Sequence, residues 1–253
     1  MSPAISPTSG QKTDSRVRGN DGKRNLAINS YMIGRSGTGV WGMLYDDHVL
    51  PAVLPALEAL NLLGIFVFAA SGAVLAAAKR QTMVTFVFFA LVTGVGGGTV
   101  RDLLIGADVF WLHENRTLLI CLIAATIIWL TPERIWRGRA LDWLDAVGMA
   151  SYATYGAAKA LGAGVAPVPA FALGVITASV GGIIRDILAG EPSILMRPEL
   201  YITPAALSSG LMVALMQADV PLWLAAICSA LLGFSLRAGA IVFHWKLPAY
   251  RRN

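Results

Sequence analysis

The chain has 253 residues, 56% of them hydrophobic and 14% charged, with a mean hydropathy of +0.63. That balance excludes a water-soluble domain of this size and indicates an integral membrane protein. The formal net charge of +5 is spread among short segments between apolar runs, which reads as a topology signal and argues against a nucleic-acid-binding patch.

Residues 1–42, beginning "MSPAISPTSGQKTDSRVRGNDGKRN", are polar and contain no apolar stretch long enough for a signal peptide. They read as a disordered tail. From about residue 54 onward the chain divides into apolar segments of roughly 17 to 25 residues, the length that crosses a bilayer as a helix. Seven spans are predicted, at 55–78, 83–105, 112–131, 141–163, 168–189, 199–217 and 221–243. The third has a short apolar centre and borrows Trp111 and Leu112 as an interfacial end.

Lys79 and Arg80, the arginines 134, 137 and 139, Arg197, and Lys246 with Arg251 and Arg252 follow alternate spans. These basic segments predict an amino terminus outside and a carboxyl terminus in the cytoplasm. The tail opposes this, since Lys12, Arg16, Arg18, Lys23, Arg24 and Arg35 would have to cross the membrane. A functional start at Met43, which leaves only the acidic "MLYDDH" before the first span, is therefore expected.

The second and fifth spans carry "GVGGGTVRDLL" (94–104) and "SVGGIIRDIL" (179–188). The motif recurs in one ungapped register. A step of 84 residues relates Gly64 to Gly148, Gly72 to Gly156, Thr93 to Thr177, Gly97 to Gly181, Gly98 to Gly182, Arg101 to Arg185, Asp102 to Asp186 and Gly106 to Gly190. This argues for an internal duplication. Each copy holds three spans, an odd number, so the second enters the membrane the other way up. The predicted fold is all-α: seven transmembrane helices as two inverted three-helix repeats (55–131 and 141–217) plus one C-terminal helix (221–243).

The glycine clusters Gly96, Gly97, Gly98 and Gly181, Gly182 are expected to break the second and fifth helices. Broken backbone at membrane depth is tolerated only where protein or water satisfies it. Half-helices would then begin near the pairs Arg101–Asp102 and Arg185–Asp186, where the helix dipole favours the carboxylate. Adjacent residues diverge by about 100° on a helix, so the pairs need not bond internally. Thr93, Thr177 and Ser179 precede the breaks and offer hydroxyls and freed carbonyls to a dehydrating cation. The plainer readings are close helix packing for the glycines, snorkelling for the charges and back-bonding to the helix for the hydroxyls.

Glu58 and Asn61 occupy the repeat positions of Asp142 and Asp145. The acids Glu58, Asp142 and Asp145 suit cation-concentrating mouths or solvated helix starts stabilised by the dipole. Lys159 lies well inside the fourth span with Leu75 as counterpart, which suits an outer headgroup, a pore contact or an anionic lipid. Arg237 reads as a snorkelling residue, Cys121 and Cys228 as small core residues, and Trp111, Trp129, Trp136, Trp143, Trp223 and Trp245 as interfacial anchors. His48, His113 and His244 have no metal-ligand spacing. No catalytic constellation, cofactor fingerprint or metal motif is present, and "GVGGGTV" lacks the preceding strand of a dinucleotide site.

The doubled "GGGTVRDLL" and "GGIIRDIL", with "SGAVLAA" and "YGAAKAL" 84 residues apart, resemble the bacterial branch of the trimeric intracellular cation channel family over about residues 57–243. The resemblance implies a homotrimer in the bacterial cytoplasmic membrane. It also implies one pore per protomer, permeable to potassium or other monovalent cations and lined by kinked second and fifth helices. Some bacterial relatives are linked to glycine uptake, so a secondary transporter for glycine or another small amino acid is the alternative. A membrane scaffold whose glycines serve packing alone is the third reading.

Overall fold

The computed structural model describes residues 50–246 apart from 114, 137 and 197–199. The tail and the Met43 start therefore lie outside the described residues. Seven long helices follow one another: α1 Leu50–Ala78, α2 Met83–Leu104, α3 Asn115–Leu130, α4 Ala140–Gly162, α5 Pro167–Leu188, α6 Ile202–Gln217 and α7 Leu222–Phe243. A single helical turn, Glu133–Trp136, joins α3 to α4, and two 3-10 turns, Phe110–Leu112 and Ile194–Met196, follow α2 and α5.

By length and apolarity four stretches among the described residues suffice to cross a membrane: Leu57–Ala78, Met83–Leu104, Pro167–Leu188 and Leu222–Phe243. α4 has 23 residues and carries Asp142, Asp145 and Lys159. α3 and α6 have 16 residues each, about 24 Å at 1.5 Å per residue. Trp111 and Leu112 do not extend α3 as expected. They form the separate 3-10 turn, because the chain must reverse direction after α2 before α3 can start.

The packing repeats itself. α1 lies against α2 and α3 as α4 lies against α5 and α6; α1 also meets α4, and α2 meets α5. α7 is seated on α4 and α6. Ser208 on α6 anchors this seat. It donates to the Ser229 carbonyl at 2.8 Å and shares a 3.0 Å hydrogen bond with Thr154, while Gly233 leaves room for its side chain. Such small and hydroxyl residues bind helices where no hydrophobic driving force acts between them.

At the centre, Phe68 and Tyr152, which share one repeat position, face each other with ring centroids 5.2 Å apart. Gly64 leaves space for Tyr152, and Gly148 leaves space for Phe68. Residues 64 and 68 of α1 thus meet 152 and 148 of α4 in reversed order, so the two helices run antiparallel across their contact. The α2–α5 contact obeys the same rule: a side chain at Gly97 would strike the Thr177 carbonyl, and one at Gly181 the Thr93 carbonyl.

Two single-residue expectations are corrected. Cys121 is buried as expected, but Cys228 is exposed on the outer face of α7. Arg237 does not snorkel. It is fully buried, donates from Nη1 to the Leu200 carbonyl at 2.8 Å and lies over the Tyr201 ring, because the two residues that lead into α6 offer it an acceptor and an aromatic face.

Candidate functional site

The glycine clusters do not break their helices. α2 runs without interruption from Met83 to Leu104 and α5 from Pro167 to Leu188, straight through Gly96–Gly98 and Gly181–Gly182. Glycine weakens a helix but does not end one when tertiary contact rewards the missing side chain. Here the reward is close approach, since the backbones of α2 and α5 touch at Gly97 and Gly181. The backbone at these positions stays helical. Thr177 accordingly donates back to the Leu173 carbonyl at 2.6 Å and Ser179 to Val175 at 2.8 Å. Thr93 is buried, and its hydroxyl has no hydrogen-bond partner among the described residues.

The Arg–Asp pairs therefore occupy the last turns of unbroken helices, not the first turns of half-helices. A carboxylate there opposes the helix dipole, and its compensation comes from donors beyond the helix. Asp102 Oδ2 accepts the backbone N–H of Phe110 at 3.1 Å, and Asp186 Oδ2 that of Ile194 at 2.9 Å. Each aspartate thus holds the 3-10 turn eight residues on. Gly106 and Gly190, both at φ +67°, make the left-handed turn that brings the chain back.

Within each pair the residues do bond, although their position on a helix does not require it. Arg101 Nε donates to Asp102 Oδ1 at 2.9 Å and Arg185 Nε to Asp186 Oδ1 at 3.0 Å. A long guanidinium stem folds back along its own helix and covers the angular gap that separates neighbouring Cβ atoms.

Around these pairs the halves differ. Asp145 is fully buried and accepts from Arg185 Nη1 at 2.6 Å and Nη2 at 3.2 Å, and Ser71 accepts from Nη1 at 2.8 Å. Asp145 is thus not a mouth acid: one helical turn into α4 it meets the guanidinium of α5, which neutralises it in the interior. In the first half Lys159 Nζ donates to Asp102 Oδ1 at 2.8 Å. The Arg101 guanidinium lies 5.0 Å from the Tyr155 ring centroid and 5.9 Å from that of Phe110. One cluster brings two cations to one carboxylate; the other brings two carboxylates to one cation.

The remaining acids stay near the surface. Glu58 pairs with Arg116 at 2.7 Å, the two side chains being 48% and 61% exposed. Asp142 lies 3.7 Å from Arg139. Lys159 joins the buried cluster while keeping 27% of its side chain exposed. Sequence reasoning missed Ser71, Tyr155 and Phe110 as members of the clusters. The signal was available: Ser71 and Tyr155 share one repeat position, as do Phe110 and Ile194.

A family model described as "Glycine transporter" matches the chain twice, over residues 58–133 and 142–217. The UPF0126 inner membrane protein YadS of Escherichia coli (strain K12) is 36% identical over 196 residues, spanning 76% of this chain and 94% of the relative. The UPF0126 membrane protein YvgT of Bacillus subtilis (strain 168) is 35% identical, over 76% of this chain and 96% of the relative. Among solved structures, the trimeric intracellular cation channel orthologue from Rhodobacter sphaeroides is 40% identical. It superposes with a TM-score of 0.70 over 75% of this chain and 98% of its own. A structure described under "Structural basis for conductance through TRIC cation channels" is 30% identical with a TM-score of 0.69, over 78% and 98%. The chain belongs to the UPF0126 family of multi-pass inner membrane proteins, the bacterial branch of the trimeric intracellular cation channel family.

Proposed function

We propose that the protein is a potassium-permeable monovalent cation channel, a homotrimer in which each protomer encloses its own pore between α2 and α5. In this reading all seven long helices cross the membrane. Residues 55–131 and 141–217 are inverted repeats, 221–243 is the appended seventh span, the amino terminus lies outside and the carboxyl terminus in the cytoplasm. The observation that carries the reading is the antiparallel crossing of α2 and α5, where Gly97 and Gly181 each meet the threonine carbonyl of the other helix. The likeness to solved cation channels at 40% and 30% identity supports it.

Functionally, the crossing is a constriction. The two backbones touch, so conduction requires α2 and α5 to separate, and the Thr93 and Thr177 carbonyls and hydroxyls then line the gap for a partly dehydrated ion. The two Arg–Asp clusters flank the constriction and set the electrostatic profile on either side. Lys159 tempers Asp102, which limits tight trapping of a cation there.

The twofold match to a model described as "Glycine transporter" supports a second reading, secondary transport of glycine or another small amino acid. Potassium flux and glycine uptake measured side by side on the purified protein in liposomes separate the two. Potassium flux without saturable glycine uptake supports the channel, and saturable uptake without flux overturns it.

A further inference from the structure

We infer that the Arg101 cluster is a binding site for a small carboxylate, which takes the place that Asp145 fills in the other half of the molecule. The inference rests on the correspondence of the two halves, not on cation permeation. In the second half the guanidinium of Arg185 is saturated by protein groups: Asp145 receives two parallel hydrogen bonds, from Nη1 to Oδ1 and from Nη2 to Oδ2, and Ser71 receives a third. Planar fork-to-carboxylate pairing of this kind is geometrically selective as well as strong.

The first half has the same arginine, with the same Nε bond to the following aspartate, but not the same surroundings. Asn61 stands at the repeat position of Asp145, and Tyr155 at that of Ser71. Arg101 is buried, and its Nη1 has no hydrogen-bond partner among the described residues. Nη2 is ion-paired with Asp102 Oδ1 at 2.8 Å, so the unfilled donors are those of Nη1. A buried guanidinium left with unfilled donors is destabilising, and it calls for a missing acceptor.

The charge of the missing acceptor follows from the cluster. Asp102 faces both Arg101 and Lys159, so one added negative charge gives two cations and two anions. Its shape follows from Arg185, whose fork is filled by a planar carboxylate. Its size is limited because Arg101 and Asp102 are buried, with Asn61, Phe110, Tyr155 and Lys159 half-buried around them. Lys159 reaches the cluster from its partly exposed side and marks the way in. A cation is disfavoured there by the excess positive charge, and a bulky phosphate ester by the burial.

The test uses the full chain purified in detergent. Binding of radiolabelled acetate is measured by equilibrium dialysis, with glycine, acetamide, glycinamide and chloride as competitors. Saturable acetate binding, competed by glycine but not by acetamide or glycinamide, is the expected result. Asn61→Asp supplies the missing carboxylate from the protein, so it is expected to weaken acetate binding at least about tenfold, as repulsion by a buried like charge requires. Asn61→Ala leaves the place open and is expected to keep binding, which preserves the test if the aspartate variant does not fold.

Absence of saturable acetate binding to the wild-type protein overturns the inference, since water then suffices for Arg101. Equal competition by chloride, or unchanged affinity in Asn61→Asp, also overturns it. Potassium flux in liposomes is followed on the same preparations. Flux without acetate binding refutes the carboxylate site alone, whereas acetate binding without flux refutes the channel reading alone.

Discussion

Gly96 and Gly97 are neighbours in one helix with opposite surroundings, and alanine at each position separates packing from backbone propensity. A Cβ at Gly96 would lie 3.4 Å from Ile184 Cδ1 and 3.6 Å from Gly181 Cα, a contact that the flexible tip of Ile184 relieves. Replacing an interior helical glycine with alanine gains about 0.5–1 kcal/mol of backbone propensity. Gly96→Ala is therefore expected to be neutral to about 1 kcal/mol more stable. A Cβ at Gly97 would overlap the Thr177 carbonyl oxygen, which belongs to the α5 backbone and cannot rotate away. Overpacking of this kind costs roughly 1–3 kcal/mol, which exceeds the propensity gain, so Gly97→Ala is expected to lose on the order of 1 kcal/mol or to force α2 and α5 apart. Thermal unfolding midpoints in detergent, with potassium flux in liposomes, read both effects: Gly96→Ala at or above wild type with normal flux, Gly97→Ala below it with altered flux. Equal behaviour of the two variants would refute the assignment of the crossing.

Asp145→Asn removes one of the two carboxylates on the buried Arg185 and leaves it Asp186, so it is expected to destabilise the protein by about 1–3 kcal/mol. Glu58→Gln, which breaks a largely exposed pair, is expected to lose no more than about 1 kcal/mol in the same unfolding assay. Asp102→Asn removes the carboxylate that, among the described residues, faces Arg101 and Lys159, whereas Asp186→Asn leaves Asp145 on Arg185. Asp102→Asn should therefore disturb conductance and assembly more, as judged by single-channel recording and size-exclusion profile. For topology, reporter fusions after Arg139 should read cytoplasm and one at Ala166 should read outside; the reverse pattern inverts the assignment.

Hydropathy and repetition were legible in the chain itself. The predicted spans 83–105, 141–163, 168–189 and 221–243 agree with α2, α4, α5 and α7 to within a residue at either end. Apolar length is a local property that each segment carries without its neighbours. The step of 84 residues was equally plain, and in the structure Phe68 and Tyr152, which that step relates, meet ring to ring.

What the helices do to one another was not legible. Whether Gly97 ends α2 or lets α5 approach depends on a carbonyl at Thr177 that lies 80 residues away. The depth and rotation of α4 decide that Asp145 meets Arg185 and that Lys159 meets Asp102. No spacing within α4 specifies either pairing. A span declares its length and its charges, but each buried charge takes the nearest complementary group, and only packing brings that group within reach.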